Sequence, residues 1–150
     1  MAERVEPYSW GVPVTWEPNA PGAFLVSDDE GRGALAQRAH PDDPDQRCVV
    51  LRFDGVIFAS MASLNDEGRH MHRLYEAGLR DLLWLGVVRE STLASRLRPA
   101  GTRVGEDLHE RPRHYVVPSK ECVIEVVAEN LDVFRVAGAP RDAAPSVLTG

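Results

Sequence analysis

The chain has 150 residues, 11 prolines, two cysteines and a formal net charge of −6. That length suits one ordinary domain, which can bury about 70% of the surface its unfolded chain exposes, so folding requires neither a metal nor a disulfide. The acidic balance argues against a general nucleic-acid binder, whose affinity comes from lysine and arginine on phosphates. No run approaches the roughly 18 to 20 apolar residues of a membrane-spanning helix.

Lys120 is the lone lysine among otherwise arginine cations. The opening "MAERVEPYSWGVPV" has no apolar core of signal-peptide length, which places the protein in the cytoplasm as an expectation. Cys48 and Cys122 each sit in an apolar run, where a free cysteine packs as a small hydrophobe. A bridge between them is disfavoured in a reducing compartment.

Residues 1–22 are punctuated by proline and glycine and read as a loosely attached terminus. Within them Trp10, Val12, Val14 and Trp16 share one parity, the period of a strand, with Pro13 confining it to an edge. "AFLVS" at 23–27 offers a second strand and "DDEGRG" turns the chain. "ALAQRAHPDDPDQR" at 34–47 opens as a helical turn and becomes an acidic, proline-broken loop.

"CVVLRFDGVIFASM" at 48–61 carries the strongest strand signal, interrupted at Gly55 by a turn or bulge. "LLWLGVVRE" at 82–90 reads as a buried strand, and Ser91 caps a short helix, "STLASRL". Residues 98–112 form a polar loop, "HYVVPSKECVIEVVAENLDVFRV" a hairpin or meander, and 137–150 a loose tail. The expected fold is α+β in one domain: a mostly antiparallel curved sheet or half-barrel of about six strands, with one or two short helices. Val49, Leu51, Phe53, Leu83, Leu85, Ile124 and Val126 are the expected core of one sheet.

The pairing of "RFDGVIFASMASLNDEG" and "LYEAGL" with a later "RHYVVPSKECVIEVVAE" resembles a family of small uncharacterised bacterial proteins of similar length. The likeness spans about residues 48–130. It implies the same fold and brings no activity with it.

Three constellations could carry chemistry. In "NDEGRHMH" at 65–72, His70 and His72 would share a face if extended and diverge by about 200° if helical, with Glu67 or Asp66 as a third ligand. Asn65 and Gly68 favour a solvated loop, no third and fourth ligand stands at a standard zinc spacing, and no metal is expected. The second, "ERPRHYV", places Arg111, Arg113, His114 and Tyr115 at a strand entrance, downstream of Arg96, Arg98 and Arg103. It could grip an anion, but Glu106, Asp107 and Glu110 lie among the same residues. Third, Glu121, Glu125 and Glu129 share one strand parity, as acid/base carboxylates or as charges guarding a solvent face.

Nucleotide-binding glycine loops and the G-x-S-x-G serine elbow are missing, so no cofactor is expected and the familiar acyl-transfer and nucleotide-hydrolysis chemistries are disfavoured. The leading reading is a non-enzymatic, immunity-type or accessory protein that meets a basic protein partner through its acidic surface, with acidic clusters at 28–30 and 42–45. The rival is a small enzyme or metal-dependent module using Asp66, Glu67, His70, His72, Arg113, His114 and Tyr115. It needs the 65–72 loop and the 111–115 strand entrance to converge. A homodimer through an exposed strand edge or the N-terminal tryptophans is the third.

Overall fold

The computed structural model describes residues 2–9, 14–97 and 112–148. The described chain forms nine strands in two antiparallel sheets. In the first, β1 (Arg4–Pro7), β6 (Gly86–Arg89), β7 (Arg113–Pro118), β8 (Val123–Ala128) and β5 (Phe58–Ala62) lie side by side in that order. The second has the order β2 (Phe24–Ser27), β3 (Arg32–Gln37), β4 (Cys48–Asp54), β9 (Asn130–Val136). Two short helices, α1 (Thr92–Arg96) and α2 (Pro140–Ser146), complete the α+β fold.

The sheets share a corner. The chain passes from β4 to β5 through Gly55 and from β8 to β9 through Glu129, whose N–H donates to the Asp54 carbonyl at 3.0 Å. β4 pairs with β9 as far as Asp54↔Asn130, and β5 pairs with β8 from Phe58↔Val127. The two halves are therefore arms of one bent ribbon. The expected curved sheet is present as a half-barrel, left open because β1 and β2 at its two rims do not pair with each other.

Period-2 alternation decides what faces the inside of the curve. Leu35, Val49, Leu51 and Phe53 meet Tyr115, Val117, Ile124 and Val126 across the interior, with Trp16 fully buried among them. Phe53 and Tyr115 pack with ring centroids 5.5 Å apart. The expected core residues thus come from both sheets rather than one. Leu83 does not join the core as expected: it is 51% exposed, because the strand there starts only at Gly86, while Leu85 turns into the interior and Leu82 is buried against the outer face.

Each sheet also has a covered outer face. Ala34, Ala36, Cys48 and Val50 sit under Ala143 and Ala144 of α2. The small side chains allow the helix close to the strands, and the alanines of "ALAQ" belong to β3 rather than to a helical turn. Residues 137–150, read as a loose tail, supply this helix, with Pro140 in its first turn where a missing N–H costs nothing. The N-terminal segment is also tied down, through β1 and Trp16, whose carbonyl accepts Trp84 Nε1 at 2.9 Å. Of the expected tryptophan edge strand, residues 10–13 lie outside the described residues and 14–16 are not strand. The polar loop at 98–112 lies outside them too, save Pro112. Cys48 and Cys122 are buried free thiols.

The outer face of the first sheet is covered by residues 64–82, which cross it in two 3₁₀ turns, Arg69–Met71 and Leu79–Asp81. Leu74, Leu79 and Leu82 pack on Val5, Val88, Val116 and Val123. This cover sets the surroundings of every polar side chain beneath it.

Candidate functional site

β8 places Ile124 and Val126 inward, so Val123, Glu125 and Val127 project to the outer face. On β7 the same alternation sends Tyr115 inward and His114 outward. Glu125 is opposite Val116, hence diagonal to His114 and within reach of it. The covering segment brings His72 and Arg73 down on the same carboxylate, and the turn after β6 brings Ser91.

The cluster is closed and directional. His114 Nε2 donates to Glu125 Oε1 at 2.8 Å, while His72 Nε2 donates to Oε2 at 3.2 Å. Arg73 forks across both oxygens, Nη1 to Oε2 at 3.0 Å and Nη2 to Oε1 at 2.6 Å. His72 Nδ1 accepts the Leu74 N–H at 3.0 Å, which fixes the hydrogen on Nε2. His114 Nδ1 lies 2.7 Å from Ser91 Oγ. That Oγ accepts the Ala94 N–H as the N-cap of α1, and with the His114 ring hydrogen on Nε2 toward Glu125, the Ser91 hydroxyl donates to Nδ1. His114, Glu125, His72 and Ser91 are only 1%, 5%, 8% and 8% exposed. Arg73 keeps half of its side chain in solvent.

Burial alone would raise the Glu125 pKa. The hydrogen bonds from His114, His72 and Arg73, with the Arg73 charge, outweigh it and hold the carboxyl well below the usual carboxylate range. The same contact raises Arg73 above its ordinary value. Tyr115, on the opposite face of β7, is pushed up to about 12 by burial.

Of the residues singled out in the sequence, the fold brings together His72, His114 and Glu125 and leaves the others apart. His70 is exposed and its Nδ1 donates to the Glu67 carbonyl at 2.9 Å. Asp66 and Glu67 are exposed on the same loop. Arg113 is exposed, with Nη1 3.5 Å from Tyr8 Oη, and Tyr115 lies in the interior. His70 and His72 do not share a face, because the 3₁₀ turn at 69–71 sends one outward and the extended His72 toward the sheet. Arg111 of the arginine cluster lies outside the described residues.

Glu125 is the residue that sequence reasoning underweighted. Glu121 and Glu129 flank the strand and are exposed as a guarding charge would be, but Glu125 is the one charge within "VIEVVA" and is buried. A lone carboxylate inside a valine run was the available signal. Nothing local marked Arg73 or Ser91 as its companions.

Chemically, Ser91, His114 and Glu125 form a hydroxyl–imidazole–carboxylate relay. Structurally, the cluster fastens the covering segment and α1 to the first sheet. Among the described residues no group of three or more histidine, cysteine, aspartate or glutamate side chains is arranged to hold a metal ion. Among the described residues no helix is long and apolar enough to cross a membrane. Comparison with family models, curated proteins and solved structures finds no match to this chain.

Proposed function

We propose that the protein is a non-enzymatic binding protein that engages a basic protein partner through one acidic end of its β2–β3–β4–β9 sheet. One observation carries the reading: strand register gathers carboxylates from three separate stretches of sequence at that end. Asp28, Asp29 and Glu30 lie in the β2–β3 turn, Arg32 is opposite Asp54, Arg52 is opposite Asp132, and Glu129 bonds back to Asp54. Six carboxylates face two guanidiniums there, four of the chain's six net negative charges. The Asp28 carboxylate accepts the N–H groups of Glu30 and Arg32 at 2.9 and 3.0 Å, which orders the turn in advance of binding. Ile57, 37% exposed, adds an apolar contact at the same corner. By contrast, Asp42, Asp43 and Asp45 lie at the far end of β3 among His40, Arg47 and Arg135, so that loop is mixed in charge.

A positive partner steered by such a field associates faster at low ionic strength. Capture from the native host's lysate at about 50 mM and about 500 mM salt, with the wild type and with D29K/E30K/D132K, tests this. A basic protein held by the wild type at low salt, and released by salt and by the triple variant, is the expected result. Retention by the variant, or no partner at low salt, overturns it.

A second reading, a small hydrolase, is favoured by the order of the relay, in which Ser91 donates to His114 and His114 to Glu125. It is the weaker one. Ser91 is buried, its Oγ already accepts a helix N–H, and Arg73 neutralises the carboxylate that would support an imidazolium. Treatment with a fluorophosphonate and mass analysis decides: an adduct on Ser91 that His114→Ala abolishes would establish the serine as a nucleophile.

A further inference from the structure

β5 is a rim strand of the five-stranded sheet. β8 pairs with one side of it, and no described strand pairs with the other. From Val56 to Ser63 the sequence is VIFASMAS, with neither a charge nor a proline. All five residues of β5 are partly accessible and Met61 is 42% exposed.

The other sheet edges are guarded. β1 carries Arg4, Glu6 and Pro7, and β9 carries Asp132 and Arg135. β2 is four residues long, stands between Pro21 and Asp28, and packs against α2. Charge, proline and short length are the usual devices that keep an edge from pairing with another chain. β5 has neither charge nor proline, and apart from the Ala62 carbonyl, which accepts the Leu64 N–H at 2.8 Å, the backbone groups on its unpaired side meet no strand among the described residues.

We propose that the occupant is a second copy of this chain, paired antiparallel through β5 about a two-fold axis at Ser60. The strand is self-complementary in that register. Phe58 faces Ala62 of the second copy and Met61 faces Ala59, so each large side chain meets a small one, and the two-fold makes each contact twice. A slip by two residues would set Met61 against Met61 or Ala59 against Ala59. A slip by one would pair inner-face with outer-face residues and turn the two curved sheets to opposite sides. The Ser60 register avoids both and joins two five-stranded sheets into one of ten.

Light scattering on the intact chain across about 1 to 200 µM, within the range set by ordinary dimer affinities, should give twice the 16.6 kDa chain mass at the upper end. Met61→Lys, at an already exposed position, should raise the dissociation constant at least tenfold while circular dichroism stays that of the wild type. Ser60→Cys supplies an independent readout. Residues opposite each other in an antiparallel pair have Cα atoms about 4.5 to 5.5 Å apart, inside the range a disulfide spans. Mild oxidation should therefore cross-link the variant, and the same treatment of Ala62→Cys should do so far less. A monomer throughout, a dimer indifferent to Met61→Lys, or equal cross-linking at 60 and 62 would each overturn the proposal, as would an edge that pairs only with a different protein.

Discussion

Glu125 accepts from three side chains at once, and its charge has been taken out of water to do so. Glu125→Gln leaves the Arg73 guanidinium unpaired and turns an amide N–H₂ toward donors. Breaking a buried pair costs about 3 to 5 kcal/mol, and the half-exposed Arg73 favours the low end, about 3 kcal/mol by urea denaturation at pH 7. The folded-state pKa of Glu125 is depressed below its ordinary 4.5. Its stabilisation is therefore complete above 4.5 and is lost as pH falls below it. Stability of the wild type should drop more steeply than that of Glu125→Gln between about pH 5 and pH 3; parallel curves would show the carboxylate to be uncoupled from folding. The two loop histidines separate in the same assay. His70→Ala should stay within about 0.5 kcal/mol of wild type, as surface changes do, while His72→Ala removes one of the two donors to Glu125 Oε2 and leaves the Leu74 N–H without its acceptor, at a cost of about 1 to 3 kcal/mol. At this scale the sequence was legible where a residue's neighbours in the chain decide its fate, as for Ser91 as a cap. The partners of Glu125 lie 11 to 53 residues away, and no local pattern encodes such a meeting.

Among the elements, strands whose alternation is strong were readable with nearly their observed limits, β4, β7 and β8 above all. Phe53→Ala tests that reading: loss of a fully buried ring against Tyr115 should cost about 3 to 5 kcal/mol, and an unchanged thermal midpoint would make β4 peripheral. β3 and α2 were misjudged for one physical reason. Alanine has high helix propensity, yet Ala34 and Ala36 are in a strand because α2 needs small residues beneath it, and propensity yields to that packing. The covering segment depends on Gly78, which has φ +131° and lies where a Cβ would come 2.5 Å from the Val5 carbonyl oxygen. Gly78→Ala should lose at least about 2 kcal/mol, since both the backbone conformation and the approach to β1 oppose it. Gly138→Ala, with φ +106° and nothing within 4 Å of the added carbon, isolates the backbone part alone and should lower the thermal midpoint less.

Across the whole molecule, the curved sheet was expected from the sequence, but the acidic end emerged only from register, which joins residues 28–30, 54, 129 and 132 at one corner. The sequence displayed charge in blocks and could not show which blocks meet. The bent ribbon that makes the corner pairs residues 48–54 with 130–136 and residues 58–62 with 123–127. Ribosomal synthesis runs from the N-terminus, so β4 and β5 are made long before β8 and β9 can reach them. With roughly 30 residues hidden in the exit tunnel, the apolar faces of both sheets cannot close until well after β9 has been synthesised. Arrested nascent chains ending near residue 120 should accordingly be cut by protease throughout, while released full-length chains become resistant in a single step. A strand made of "VIFASMAS", left open during that interval, is the part of the chain most in need of a chaperone's protection.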